Sequence, residues 1–150
     1  YSQVSNKYVH CGRKQEAAAQ LKYKIVLQYP DIKIRECGLF VGTNTPFLGA
    51  SPDGMIEYTA LIRQMEVPAP DECCQDSGFY SELNSTTGHL KLKHNHTYYH
   101  EVQGQLALTG LEWCDFVIRT LWGISFERIY FDADHCENLK SKLVYYYTKL

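Results

Sequence analysis

No run in this 150-residue chain approaches the ~20 consecutive apolar residues that a membrane-crossing helix needs, so no membrane association is expected. The opening Tyr1-Ser2-Gln3-Val4-Ser5-Asn6 has no charged segment leading into an apolar one, so it is not expected to be a signal peptide. It also lacks an initiating Met, and the chain is expected to be a fragment of something longer. The six cysteines, Cys11, Cys37, Cys73, Cys74, Cys114 and Cys136, include no C-x-x-C pair. At this spacing a disulfide framework is not expected, which points to a reducing intracellular setting, nucleus or cytoplasm. There is no excess of basic residues either: 15 Lys and Arg face 17 Asp and Glu, for a formal charge of −2. That excludes a simple cationic nucleic-acid-coating module. It leaves room for a DNA enzyme whose clustered carboxylates offset a local basic surface. Repeats, low-complexity tracts and linkers are absent too, so residues 1–150 read as one domain.

What is present is ordinary globular composition, 45% hydrophobic and 21% charged, enough for a real core. Ala18, Leu21 and Ile25 recur at helical spacing between about Arg13 and Gln28, and Tyr29-Pro30 ends that helix. Three extended stretches follow, 36–41, 47–56 and 61–67, the last stopped by Pro68 and Pro70. Residues 69–97 read as irregular, with Gly78, Asn84, Gly88 and Asn95 as turn formers. Tyr98, Val102 and Leu106 mark a second helix. Residues 113–120 and 124–131 read as a hairpin around Trp122-Gly123, with Cys114, Phe116 and Ile118 on one face. Asp132 is the expected N-cap of a last helix whose stripe is Cys136, Leu139, Leu143, Tyr146 and Leu150. The expected fold is α/β (α+β), with a central mixed five-stranded sheet flanked by helices.

The most informative stretch is Phe47-Leu48-Gly49-Ala50-Ser51-Pro52-Asp53-Gly54. It sets an acidic residue between a proline that removes a ladder donor and a glycine that permits close approach. Thirteen residues later comes Glu66, on the next predicted strand. Neighbouring strands lie ~4.8 Å apart, so Asp53, Glu66 and the Val67 carbonyl are within reach of one divalent cation. Hard oxygen ligands suit Mg²⁺ or Mn²⁺ and phosphodiester hydrolysis. Spacing alone favours a plainer alternative, in which Asp53 is a turn former and Glu66 a solvated strand residue.

Several blocks in order add weight to the first reading. They are Gly12-Arg13-Lys14-Gln15-Glu16, Gly38-Leu39-Phe40-Val41, the 47–54 stretch, residues 98–110 beginning Tyr98-Tyr99-His100-Glu101-Val102-Gln103, and Trp113-Cys114-Asp115-Phe116-Val117. Together they resemble the YqaJ-type viral recombinases, PD-(D/E)XK nucleases similar to the phage lambda exonuclease, from about Gly12 onward. The resemblance implies a restriction-endonuclease-like core and an Mg²⁺- or Mn²⁺-dependent deoxyribonuclease acting 5′-to-3′ on linear duplex DNA ends in recombination or repair. It implies Asp53 and Glu66 as metal ligands with the Val67 carbonyl, and Glu16 as a supporting helical carboxylate. Glu101 then joins the catalytic set, while Lys91, Lys93 and Gln103 are expected to meet nucleic acid. A single-strand annealing protein and a ring of like subunits are the partners it suggests.

Two positions depart from the family pattern. The family strand ends Glu-x-Lys-Cys-Pro, whereas this chain reads Glu66-Val67-Pro68-Ala69-Pro70, and proline supplies neither charge nor N–H. Glu101 stands where the family has Gln, exchanging a donor-acceptor amide for an acceptor-only carboxylate. The N-terminal segment whose Ser and Arg hold the DNA 5′-phosphate is missing, as if the domain were truncated, and Ser2 and Ser5 do not recreate it. A second class therefore stays open: a non-catalytic descendant that binds DNA or protein. Three further signals are weaker. The basic run 88–96 reads equally as a phosphate contact and as an exposed polar loop. His94, His96 and His100 with Cys73 and Cys74 have no standard zinc spacing. Tyr145-Tyr146-Tyr147 read as base-stacking surfaces or, more plainly, as packing residues.

Overall fold

The computed structural model of the protein describes residues 4–27, 32–57, 80–84, 86, 89–119 and 124–149, with side chains from Lys14 onward. Among the described residues the fold is mixed α/β, with three helices and small antiparallel sheets. Helix α1 (Val4–Leu27) begins nine residues earlier than the sequence pattern indicates and stops just ahead of Pro30, whose neighbours are biased away from helical dihedrals. Four short strands follow and pair two by two. Lys33–Arg35 (β1) pairs with Met55–Glu57 (β4), and Phe40–Val41 (β2) pairs with Gly49–Ala50 (β3).

Strands β5 (Ser81–Leu83) and β6 (Leu90–Leu92) form a hairpin inside the stretch expected to be irregular. Leu90 and Leu92 turn inward while Lys91 turns out opposite Glu82, so the "basic run" is in part an alternating strand. Next come α2 (Thr97–Thr109), the long hairpin β7 (Trp113–Arg119) and β8 (Ile124–Tyr130), and α3 (Ala133–Tyr147). The expected hairpin and α2 are found within one residue of their predicted bounds. Helix α3 starts after Asp132 as expected but ends at Tyr147, short of the predicted stripe's last residue, Leu150, which lies outside the described residues. Among the described residues the strands stay in pairs, and a five-stranded central sheet is not seen. The third expected strand, 61–67, lies outside the described residues.

The β7–β8 hairpin is the centre of the molecule because both of its faces are apolar. Its 124, 126 and 117 side chains meet α1, giving a core of Tyr23, Leu27, Ile32, Ile124 and Phe126. The opposite face, with Cys114, Phe116 and Ile129, packs against α2 through Tyr99, Val102 and Leu106, and against Leu92 of β6. Cys114, Phe116 and Ile118 do share one face, as their alternation requires. The α1 stripe does not behave as the sequence indicates. Leu21 and Ile25 are 61% and 66% exposed, while Tyr23 and Leu27 are buried. The inward face of α1 carries polar Glu16, Gln20 and Tyr23, so hydrophobic periodicity selects the wrong side.

Helix ends follow local chemistry. His96 caps α2, its Nδ1 accepting from the Tyr98 N–H at 3.2 Å. Gly110 ends it in the left-handed region at φ +70°, with its N–H donated to the Leu106 carbonyl at 3.0 Å. Asp132 caps α3 as expected, accepting from the His135 N–H at 2.9 Å. The predicted α3 stripe is not a buried one, however: α3 has no buried residue, and Leu143 and Tyr146 are exposed. Among the described residues no helix is long and apolar enough to cross a membrane.

Candidate active site

A cleft of about 410 Å³ opens between α1, the loop before β4, α2 and β7. Glu16, Asp53 and Glu101 all line it, although 37 and 48 residues separate them along the chain (16 to 53, and 53 to 101). Each arrives by a different route. Glu16 projects from the polar face of α1, three and four residues before Ala19 and Gln20, which line the same wall. Glu101 lies in the second turn of α2, with Tyr98 one turn before it and Gln105 one turn after. Asp53 stands on the turn 51–54, and that turn is fixed from two sides.

On one side the Gln20 side-chain amide donates to the Asp53 carbonyl at 2.8 Å. On the other the Cys37 thiol donates to the Pro52 carbonyl at 3.1 Å. Gly54 completes the arrangement: a Cβ there would sit 2.6 Å from Ile34 Cγ2 and 3.2 Å from Gln20 Nε2, so only glycine lets the turn close onto β1 and α1. The charge of Asp53 is felt nearby. Burial raises the Cys37 thiol, with Asp53 adding to the rise. Burial pushes the Cys114 thiol up to about 11, with Asp115 and then Asp53 contributing. Both cysteines, like Cys136, are free thiols rather than disulfide partners.

Behind the carboxylates lies a group that sequence reading missed. Asp115 of β7 and Arg128 of β8 are direct cross-strand partners. Arg128 Nε donates to Asp115 Oδ1 and Nη2 to Oδ2, both at 2.7 Å, in the two-pronged geometry that guanidinium and carboxylate favour. The pair is almost sealed, with side chains 1% and 6% exposed. Tyr23 of α1 donates its hydroxyl to Asp115 Oδ2, and the Arg128 guanidinium lies 3.8 Å over the Trp113 ring. Burial, then Asp115, raises the Tyr23 phenol, and the hydrogen bonds to Asp115 raise Arg128. The available signal was a charge inside each strand of a mostly apolar hairpin, Asp115 and Arg128, at positions that become opposite once the register is known.

The remaining sequence candidates divide. Glu66, Val67 and Pro68 fall outside the described residues. Lys91 is exposed on β6, and neither it nor Lys93 lines the cleft. Gln103, expected to meet nucleic acid, is instead 0% exposed. Its amide donates to the Tyr130 carbonyl and accepts from the Asp132 N–H, each at 2.9 Å, tying α2 to the β8–α3 junction. No DNA contact is open to it; its place on α2 faces the hairpin rather than the cleft. The histidines are also in use. His94 stacks on Tyr99, His96 caps α2, and His100 Nδ1 lies 2.9 Å from His135 Nε2. Cys73 and Cys74 lie outside the described residues, and among those residues no three His, Cys, Asp or Glu side chains are grouped to hold a metal ion. Tyr145 and Tyr146 are exposed, and Tyr147 stacks on Phe47 at 3.9 Å.

The profile of the YqaJ-like viral recombinase domain matches residues 1–112, three quarters of the sequence. The chain belongs to that family. A relative in Acanthamoeba polyphaga mimivirus, itself described as an uncharacterized protein, is 29% identical over 122 residues. The match covers 76% of this YqaJ-like chain and 20% of the viral protein, so the chain spans about a fifth of that relative's length. No solved structure matches it.

Proposed function

We propose that this YqaJ-like domain is a metal-dependent exonuclease, acting 5′-to-3′ on the ends of linear double-stranded DNA in recombination or repair inside the cell. One observation carries the reading: Glu16, Asp53 and Glu101, from three elements distant in sequence, line one cleft. The three carboxylates offer hard oxygen donors, the type that Mg²⁺ or Mn²⁺ takes. Among the described residues they are not grouped around one ion, and Glu66 would have to complete the set. Asp53 would hold the ion with Glu66 and the Val67 carbonyl in a restriction-endonuclease-like core, and Glu16 would support it from α1. Such an ion, when bound, activates water and offsets charge on the phosphate.

The chain's own contribution is placement. Gln20 and Cys37 fix the backbone that presents Asp53. Glu101 repels a phosphate that approaches it bare, so it favours DNA only when its charge is matched by the cation. Lys91 and Lys93 offer phosphate contacts outside the cleft. Duplex DNA ends are the partner, with an annealing protein and like subunits as further candidates.

Pro68 favours a second reading, a catalytically inactive nuclease fold that binds DNA or protein, because it stands where the family's water-orienting lysine is expected. The test is digestion of 5′-phosphorylated linear duplex DNA with Mg²⁺ or Mn²⁺ by the native chain, Asp53→Ala and Pro68→Lys. Digestion by the native chain that Asp53→Ala abolishes supports the enzyme. Digestion by Pro68→Lys alone makes the domain a disabled nuclease. Digestion by neither removes the catalytic reading.

A further inference from the structure

One wall of the cleft is aromatic, and the proposed chemistry does not use it. The Tyr80 and Tyr98 rings meet edge to face at 5.2 Å and 80°, and Tyr80 and Phe116 at 6.0 Å and 89°. Tyr98 is tilted against Phe116 by 42° and against His96 by 53°. None of these is a face-to-face stack, so among the described residues no ring lies flat on Tyr98. Its exposure decides what it is for. Tyr98 is 42% exposed at the cleft, whereas the adjacent Tyr99, a packing residue, is 5% exposed.

Position adds the second element. Tyr98 and Glu101 are three residues apart on α2, and both line the cleft. Side chains at that spacing stand side by side, with Cβ atoms ~5–6 Å apart. The aromatic ring is thus a neighbour of the carboxylate end where the scissile phosphate would sit. The volume of about 410 Å³ is that of a small-ligand pocket, suited to one nucleotide and not to a duplex. Bases inside a duplex have both faces covered by their neighbours, so a ring can reach only an unstacked one.

We infer that Tyr98, braced by Tyr80 and Phe116, is the stacking surface for one unpaired base of the DNA, beside the phosphate held at the carboxylates. The inference rests on the nuclease reading of this cleft and adds its substrate class: an end with an unpaired nucleotide. Stacking on an aromatic face is tolerant of base identity, so no sequence preference is expected.

The test binds the full chain, with Ca²⁺ so that DNA is held and not cut, to a 5′-phosphorylated duplex carrying a short unpaired 5′ overhang. A 2-aminopurine in the overhang reports stacking by its quenching, and anisotropy reports affinity. The native chain and Tyr98→Phe are expected to quench the probe and to prefer the overhang over a blunt duplex. Tyr98→Ala is expected to lose the quenching and to bind roughly 5- to 150-fold more weakly, the range of one base–aromatic stack. The exposed position of Tyr98 makes the variant tolerable to the fold, and unchanged helicity by circular dichroism verifies it. Binding and quenching that survive Tyr98→Ala unchanged overturn the stacking inference while leaving the DNA reading in place. A native chain that binds neither DNA overturns both.

Discussion

Asp115→Ala is the substitution whose cost the structure specifies best. The Asp115 carboxylate receives two bonds from Arg128 and one from Tyr23, in a setting that leaves it 1% exposed. Removing it keeps the guanidinium charge buried over Trp113 without its carboxylate. Breaking a buried pair in this way costs about 3–5 kcal/mol, far above the ~0–1 kcal/mol of a surface pair. In a domain of this size each kcal/mol moves the midpoint by about 2–4 °C, so a fall of roughly 6–20 °C is expected. Urea and thermal unfolding followed by circular dichroism measure both quantities. Two companions separate causes. Tyr23→Phe removes a single bond to a charged group and should cost about 1.5–3 kcal/mol. The double variant Asp115→Leu with Arg128→Met removes both charges and should recover most of the loss, since apolar replacement of a buried pair is often neutral or better. An Asp115→Ala variant within about 1 kcal/mol of the native chain would show that the pair behaves as a solvated one, and the reasoning would be refuted.

Two other outcomes can be measured with the same equipment. Asp132→Ala deletes the cap of α3 and should cost about 0.5–2 kcal/mol; because α3 buries none of its residues, the loss should appear as fraying of that helix in amide exchange before global unfolding. Glu127 has its carboxyl raised from the ordinary value of 4.5, chiefly by burial, with the Leu92 N–H (2.6 Å) and Lys91 opposing the rise. A group raised on folding contributes stability below its unfolded pKa and loses it as pH climbs through the folded value. Ionised Glu127 therefore lowers stability at neutral pH, and Glu127→Gln, which still accepts from Leu92, should lose less stability than the native chain as pH rises from about 4.5; parallel pH curves for the two would contradict this.

Strong alternation and side-chain caps carried most of what the sequence made legible. The β7–β8 hairpin, Asp132 and the start of α2 were readable because each is decided by residues within a few positions of itself. The β5–β6 hairpin was not, since three-residue strands give alternation too little length to stand out from a polar loop. The α1 stripe was misread for a different reason: its inward face is polar, and apolar Leu21 and Ile25 are left outside. In the site, Asp53 was legible from Pro52 and Gly54 around it, and the close approach expected of Gly54 is present in its contacts with Ile34 and Gln20. Gln103 was placed wrongly because a glutamine in a family motif looks alike whether its amide faces a ligand or, as here, two backbone groups of its own chain.

The arrangement of the cleft follows from that polar face of α1. Glu16, Gln20 and Tyr23 recur at four- and three-residue intervals, so one side of one helix presents a carboxylate, an amide and a phenol. The amide is tied to the turn carrying Asp53, and the phenol to the ion pair inside β7–β8. A rotation of α1 sufficient to bury Leu21 and Ile25 would break both ties and carry Glu16 out of the cleft. It would also strand the Asp115–Arg128 pair without its third bond. The helix thus leaves large apolar side chains in solvent while Gln20 and Tyr23 are hydrogen-bonded on its other side, and those directional bonds fix the rotation that hydrophobic area alone would set differently. Glu16 and Asp53 line the same cleft because those two bonds hold the helix there.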